Sequence, residues 1–331
     1  MRVKLKDVCE KATSNLKQSD ILSLDGKYPV YGASGYLGNI DSYHQDKPYI
    51  AVVKDGAGIG RTTILPPKSS VIGTMQYLIP KETVMPEYLY YVVKHMRLQK
   101  YYTGATIPHI YFKDYQNEEF NLADSIRQRE IVKVLKNVED TIRYQEIEIN
   151  KFDELIKARF IEMFGDPIIN SKKLPTKSVI NVVTLQRGYD LPNKERHKDG
   201  IIPLYGANGQ FDWHDTSKAC HGIITGRSGS IGQVYYCETE FWPLNTTLFS
   251  VDNHGNNIIY LSYLLDFFDL KRFSNGTGVP TLNRNLIHKE NIIDVPLISQ
   301  NQFADFVQQV DKSRFDIKKS ITEIEREVVY D

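Results

Sequence analysis

Two stretches of the chain place apolar residues alternately four and three positions apart. The first is carried by Ile131, Leu135, Val138, Ile142, Gln145, Ile149, Phe152 and Ile156, and the second by Phe303, Val307, Val310, Arg314, Ile317, Ile321, Ile324 and Val328. An average spacing of about 3.5 residues is the seam of a coiled coil. We therefore predict long helices over 124–165 and 296–331 that pair with each other, the alternative being that each packs on its own domain. The polar members Gln145 and Arg314 either fix the register of the seam or lie at a solvated edge.

Polar residues also mark the ends of these helices. Ser125 with Gln128, and Ser299 with Gln302, each fit a capping box near a helix start. Gly165, followed by a proline, ends the first helix.

The rest of the chain carries short apolar runs separated by Gly, Pro and Asn, a pattern typical of strands. The predicted strands are 49–53, 62–65, 77–79, 222–225, 233–236 and 247–251. Helices are predicted over 87–99 and 258–270. Strands interrupted by one helix, without βαβ regularity, predict α+β domains.

These two sets of elements are copies of one unit. Tyr28-Pro-Val-Tyr-Gly-Ala-Ser-Gly35 returns as Ile202-Pro-Leu-Tyr-Gly-Ala-Asn-Gly209, and both the later motifs and the helical seam return about 172 residues on. The repeat predicts one domain over 1–123 and a second over 166–295. Two copies related by a rotation would lay the long helices antiparallel, in a pseudo-twofold arrangement.

Composition narrows the class of protein. The 331 residues balance 41 Lys and Arg against 41 Asp and Glu, so bulk charge gives no support for nonspecific nucleic-acid binding. The cysteines Cys9, Cys220 and Cys237 form no C-x-x-C pair, which favours reduced thiols over a zinc site or disulfide framework. No segment approaches the roughly 20 apolar residues of a membrane span. We expect a cytoplasmic protein.

The glycine-rich segment Asp55-Gly-Ala-Gly-Ile-Gly-Arg61 resembles a phosphate-binding loop only superficially. It is followed by another predicted strand, whereas a dinucleotide loop must open a helix. Its counterpart Gly226–Gly232 has the same setting, so both favour tight turns where backbones approach closely. Because neither copy carries a recognisable catalytic or metal-ligand pattern, we predict a non-catalytic chain with no metal or cofactor of its own.

The two copies keep Gly, Pro, Tyr and aliphatic residues but differ at hydrogen-bonding side chains. In the offset alignment Lys54-Asp55-Gly56 corresponds to Gly226-Arg227-Ser228, and Thr74-Met75-Gln76 to Asn245-Thr246-Thr247. The side-chain types that change are those that read base edges and clamp phosphates; neutral drift on exposed loops is the alternative. The candidate DNA contacts are Ser34, Lys54, Arg61, Gln76 and His109 in the first domain, and Asn208, Arg227, Ser228, Asn245 and Thr281 in the second.

Taken in order, these motifs resemble the specificity subunit of type I restriction-modification systems over essentially the whole chain. The carriers are the doubled Tyr-Gly-Ala-[Ser/Asn]-Gly, the turns Gly58-Ile-Gly60 and Ser230-Ile-Gly232, Asn245-Thr-Thr-Leu248, and Gly-x-x-[Ile/Val]-Pro at 104–108 and 276–280. Thr74-Met-Gln76 departs from the Asn-Thr-Thr form.

The resemblance implies two target-recognition domains, each reading half of an asymmetric, split DNA sequence, held apart by two helical spacers. It also implies that two modification subunits, which bind S-adenosylmethionine and methylate adenine, dock on the chain, and that restriction subunits can join. Two other classes remain open at this point. One is an assembly scaffold that reads no DNA, and the other is an enzyme that binds a small ligand through the glycine loops.

Overall fold

The computed structural model describes residues 1–21, 26–104, 108–196, 199–275 and 279–330, with side chains described as far as residue 327. Residues 105–107 of the first Gly-x-x-[Ile/Val]-Pro motif, residues 276–278 of the second, and the side chain of Val328 lie outside this description. The chain divides into two compact units. Unit 1 is Met1–Tyr144 with Glu323–Asp331, and unit 2 is Gln145–Thr322. Both boundaries fall within long helices.

Unit 1 combines short strands with three short helices before its long helix. Its strands are β1 (Arg2–Lys4), β2 (Cys9–Thr13), β3 (Tyr28–Gly32), β4 (Gly35–Ile40), β5 (Tyr49–Val53), β6 (Thr62–Leu65), β7 (Ser70–Val71), β8 (Met75–Pro80) and β9 (Glu119–Asn121). Its helices are α1 (Leu5–Val8), α2 (Pro86–His95) and α3 (Phe112–Tyr115), with 3₁₀ turns at Gln18–Asp20 and Leu98–Tyr101. The long helix α4 (Ser125–Phe164) follows.

The centre of unit 1 is β5, every residue of which is buried. Successive side chains of a strand point to opposite faces, so Ile50 and Val52 pack in the cluster that includes α2. Tyr49, Ala51 and Val53 pack on the other face against Tyr77. β5 lies in a sheet of order β2-β8-β5-β6, and the hairpin of β3 and β4 pairs with β7 in a separate sheet.

Unit 2 repeats this order of elements. Its strands are β10 (Thr176–Ser178), β11 (Thr184–Arg187), β12 (Ile202–Gly206), β13 (Gly209–His214), β14 (Ala219–Gly226), β15 (Val234–Pro243), β16 (Thr247–Asp252), β17 (Ser274–Asn275), β18 (Thr281–Leu282) and β19 (Asn291–Ile293). Its helices are α5 (Ile258–Phe267), α6 (Arg284–Ile287) and the long α7 (Leu297–Tyr330), with 3₁₀ turns at Val179–Asn181, Asn193–Glu195 and Leu270–Phe273. Strands and helices in both units confirm the α+β prediction.

One strand is built differently in the two units. In unit 2 the long β15 pairs with β14 and also, through Trp242 and Pro243, with β12, giving one sheet of order β11-β16-β14-β15-β12-β13. In unit 1 the equivalent strand is broken into β6 and β7 by Pro66-Pro67 and by Lys68, which adopts a left-handed φ of 54°. Proline has no N–H to donate to a ladder, so the sheet of unit 1 divides in two.

The domain helices end earlier than predicted. The expected helix over 87–99 ends at His95, and the expected helix over 258–270 ends at Phe267. Arg97 and Asp269 then adopt left-handed backbone with φ of 49° and 53°, which starts a 3₁₀ turn at the same place in each unit.

The long helices begin near the predicted residues, but the predicted capping boxes are wrong. Asp124, not Ser125, caps α4, since its Oδ1 accepts the backbone N–H groups of Ile126 and Arg127, each at 3.0 Å. α7 begins at Leu297, which places Ser299 inside its first turn.

A different residue organises both helix starts: a buried glutamine, Gln128 in α4 and Gln300 in α7. Gln128 accepts the backbone N–H of Met85, the residue before α2, and donates to the carbonyl of Ala123. Gln300 repeats this pattern with Asn257, the residue before α5, and with Val295. Each glutamine therefore joins the start of a long helix to the start of its unit's domain helix.

Within unit 2 the two helical seams pair in opposite directions. Phe160 packs edge-on against Phe303 with ring centroids 5.4 Å apart. Further along, the Arg314 guanidinium lies 6.0 Å from the Phe152 ring centroid and ion-pairs with Asp153. Residues later in α7 contact residues earlier in α4, so this stretch is an antiparallel coiled coil. Arg314 therefore makes an ion pair across the seam, and Gln145 donates to the Ser320 hydroxyl at 3.3 Å.

Candidate nucleic-acid interface

Three loops of unit 1 meet at the end of β5. The Gly56 amide donates to the Pro108 carbonyl at 3.0 Å, and the Ile110 amide donates to the Lys54 carbonyl at 2.9 Å. The Arg61 guanidinium donates to the carbonyl of Ala33 at 3.0 Å, which joins the β3–β4 turn to the glycine-rich loop. These contacts bring four predicted residues to one surface, called here reading surface 1: Ser34, Lys54, Arg61 and His109.

The charges on reading surface 1 are partly balanced by Asp55. Its carboxylate lies 3.5 Å from the Lys54 ammonium and 2.7 Å from His109 Nδ1. The His109 ring stacks at 6.4 Å on Tyr111, which is 49% exposed, and the Lys113 ammonium lies 5.3 Å from the centre of that ring. Exposed aromatic faces beside cations suit contacts with nucleotides.

The glycine-rich loop is a tight turn between two strands, as predicted. It connects β5 to β6, and Gly56, Gly58 and Gly60 all have φ between 77° and 87°. A Cβ on Gly60 would lie 2.5 Å from the backbone nitrogen of Gln99. The glycines are therefore required by conformation and close packing, and no helix follows to receive a phosphate.

Gln76 lies apart from the other candidates. Its side chain is 2% exposed and donates to the Tyr115 hydroxyl at 2.8 Å in the core. A buried amide with its own partner stabilises the core, so Gln76 is left out of reading surface 1.

The corresponding region of unit 2 is an open concavity of about 400 Å³. Its polar lining comprises Arg187, Arg227, Arg284, Asn275, Asn283, Asn285 and Thr281. We call this concavity, with Ser228, Asn245 and Asn208 beside it, reading surface 2. The sequence prediction had identified Arg227 and Thr281 among the lining residues and had missed the others.

The backbone explains how the segments of reading surface 2 converge. Ser228 bridges to Thr281, and the Gly229 amide donates to the Pro280 carbonyl at 3.2 Å. A Cβ on Gly226 would lie 2.7 Å from the Ala207 carbonyl oxygen, so the turn that carries the exposed Asn208 lies close by. The Asn245 side chain donates to the Asp190 carboxylate, which also ion-pairs with Arg187 at 3.4 Å.

Hydrogen bonds correct the alignment of the two copies by one residue. The amides of Lys54 and Arg227 both donate to the carbonyl of an equivalent threonine, Thr74 at 3.0 Å and Thr246 at 2.8 Å. Lys54 therefore corresponds to Arg227 and Thr74 to Thr246, where the offset alignment had paired them with Gly226 and Asn245. By the same pairing Asp55 corresponds to Ser228. An offset read from distant motifs cannot detect a one-residue change between them.

Neither a metal centre nor a membrane helix is found in the described ranges. Among these residues no group of three or more His, Cys, Asp and Glu side chains is arranged to hold a metal ion. Of the helices that the structure describes, none is both long and apolar enough to cross a membrane.

Comparisons with known proteins agree with the architecture. A family model described as the type I restriction modification DNA specificity domain matches residues 1–152 and 171–326. The crystal structure of a type I restriction-modification system S subunit from M. genitalium is similar with a TM-score of 0.63 at 15% identity, covering 99% of this chain and 94% of that one. A second structure, described as the structural basis underlying complex assembly and conformational transition of the type I R-M system, is similar with a TM-score of 0.64 at 12% identity. The match covers 98% of this chain and 94% of that one. No curated protein matches by sequence.

Proposed function

We propose, for a chain that belongs to the type I restriction modification DNA specificity family, that each unit reads one half of a split and asymmetric DNA site. Membership of the family makes the chain a DNA-recognition subunit of a restriction-modification system. One observation supports the assignment of a different half-sequence to each unit. At the same backbone position, Lys54 lies beside Asp55 in unit 1, whereas Arg227 lies beside Ser228 in unit 2. Equivalent frames with unlike side chains suit two unlike half-sequences.

The proposed partners are double-stranded DNA and two modification subunits, with restriction subunits as further members of the complex. The modification subunits bind S-adenosylmethionine and carry out adenine methylation, while this chain selects the site and contributes no catalytic group. We place the complex in the cytoplasm, with access to the cell's DNA.

The charge of the chain supports the need for partners. Its formal net charge is zero, whereas DNA affinity depends strongly on phosphate neutralisation by cations. Reading surfaces 1 and 2 supply local positive charge, and the partner subunits supply the remaining contacts with phosphates.

The proposal is tested by exchanging one unit at a time in the assembled complex. Residues 166–295 are replaced by the corresponding segment of another family member, and the methylated sites of the host genome are sequenced. The expected result is a change in one half-sequence, with the other half unchanged. The reciprocal exchange of residues 1–123 is the matched control and alters the opposite half. Methylated sequences that neither exchange alters, or equal competition by scrambled and specific DNA for the complex, would favour a scaffold that reads no DNA.

A further inference from the structure

The backbone of Arg227 is held from two sides. Its amide donates to the Thr246 carbonyl, and its carbonyl accepts the Leu282 amide, each at 2.8 Å. These contacts attach it to the residue that precedes β16 and to β18, and both of these strands contribute to the lining of the concavity. A residue held in this way presents its side chain from a fixed origin, which is a requirement for reading a base edge.

The side chain is held as well. Arg227 lines the concavity, is half-buried, and donates from one guanidinium nitrogen to the Asn245 carbonyl at 3.3 Å. A guanidinium carries five N–H donors in a planar fork, so this contact orients the group and leaves donors for a ligand.

The other two arginines of the concavity are placed differently. Arg284 is exposed, and Arg187, whose side chain is 50% exposed, ion-pairs with Asp190. Exposed cations at a rim suit phosphate contacts, which position the DNA without carrying sequence information. Arg227 is the only half-buried arginine among the lining residues that the structure describes.

The equivalent position in unit 1 has a different electrostatic character. The Lys54 ammonium has the Asp55 carboxylate 3.5 Å away, and that carboxylate also meets His109. In unit 2 the residues that correspond to Asp55 and His109 are Ser228 and Thr281, and neither carries a charge. Among the residues that the structure describes, the same backbone site therefore presents a planar cation without an ion-paired carboxylate in unit 2, and a lysine beside a carboxylate in unit 1.

We infer that Arg227 reads a guanine in the half-sequence recognised by unit 2. Guanine presents two acceptors, O6 and N7, in the major groove, and the guanidinium fork matches both at once. The inference rests on the proposed function and adds to it the identity of one base and of the residue that reads it. Lys54, with its carboxylate neighbour, does not impose guanine at the equivalent position of the other half.

The test uses the full chain assembled with its modification subunits and a library of duplexes randomised across both half-sequences. Methylated products are sequenced for the wild type, Arg227→Gln and Arg284→Gln. Arg227→Gln is expected to lower the preference for guanine by about 10- to 100-fold at one position of one half-sequence. Arg284→Gln is expected to weaken all sequences alike and to reduce the salt dependence of binding by about one phosphate contact.

Two further variants complete the design. Arg227→Lys keeps the charge and most of the stem but loses the planar fork, so it should retain affinity while its guanine preference falls, though by less than in Arg227→Gln. It also provides the test if the glutamine variant does not assemble. Lys177→Gln removes a cation of unit 2 that pairs with Asp294 outside the concavity, and should change neither half.

The possible failures are distinguishable. If both Arg227 variants weaken binding uniformly and leave every preferred base in place, Arg227 is a phosphate contact and the inference is overturned. If the wild type itself selects no divided site, the proposed function fails before any variant is compared.

Discussion

Removing the buried Gln300 side chain should selectively weaken unit 2. In Gln300→Ala, three hydrogen-bond partners lose their contact: the Asn257 amide at 2.9 Å, the Asn256 side chain at 2.7 Å and the Val295 carbonyl at 2.9 Å. Gln300 itself is 2% exposed. Its loss therefore uncouples the start of α7 from the start of α5.

The size of the effect follows from these three partners. A buried polar group left without a partner costs about 1–3 kcal/mol. Val295 is 8% exposed and its carbonyl is poorly placed to recruit water, whereas Asn256 and Asn257 are only half-buried and can be solvated. We expect a loss of about 2 to 4 kcal/mol, a large share of the roughly 5–15 kcal/mol that stabilises a typical domain.

The natural fluorophores permit a selective assay. Both tryptophans of the chain, Trp213 and Trp242, lie in unit 2. Urea unfolding followed by tryptophan fluorescence should show a midpoint lowered by roughly 1 to 2 M, given a denaturant slope of about 2 kcal/mol per M. The matched control is Gln128→Ala, which removes the equivalent contact from unit 1 and should leave this transition in place.

Two results would refute the reasoning. An unchanged midpoint in Gln300→Ala would mean that the buried amide contributes no net stability. Equal shifts in both variants would mean that the tryptophan signal does not separate the two units.

Three further predictions concern DNA and pH. Adding one heptad to both long helices should lengthen the unread DNA between the two half-sequences and leave both half-sequences unchanged, as measured by sequencing methylated sites. A changed half-sequence with unread DNA of unchanged length would contradict the idea that the helices set this distance. The isolated chain, with no net charge, should bind DNA weakly in titrations at physiological salt, and tightly only with modification subunits; nanomolar sequence-specific binding by the chain alone would disprove this. Burial, with a smaller contribution from Arg284, lowers the pKa of His288, whose Nε2 accepts the Leu185 amide at 2.9 Å. Because protonation then favours the unfolded chain, the tryptophan-detected midpoint should fall as pH drops below about 6.5, and His288→Asn should flatten that dependence.

Elements with strong periodicity could be predicted from the sequence. The strands at 49–53 and 62–65 are observed with those bounds, and both long helices begin and end within one residue of the prediction. The two domain helices were predicted too long because Arg97 and Asp269 carry no signal for left-handed backbone. Helix caps were also misassigned, because Asp124 and Ser125 are both good capping residues and tertiary contacts of Gln128 decide between them.

The candidate surfaces could be predicted only in part. Lys54, Arg61, Arg227 and Thr281 were found because the two copies differ there. Arg284 was missed because it reaches the concavity through α6, far along the chain from β14. Gln76 looked like a base reader by residue type alone, but the sheet turns it inward onto Tyr115.

The proline break in unit 1 has a consequence for local opening. The hairpin of β3 and β4 is tied to the rest of unit 1 through β7, a strand of two residues, whereas its counterpart in unit 2 is tied through the continuous β15. Each hairpin meets its neighbouring strand over two residue pairs, so the difference lies in that strand: a separate two-residue strand opens at lower free energy than a segment of a continuous ten-residue strand. Amide hydrogens of the first hairpin should therefore exchange with solvent sooner than those of the second. If Ser34, at the tip of that hairpin, contacts DNA as proposed, binding would also order the hairpin, and recognition by unit 1 would carry a larger entropic cost than recognition by unit 2.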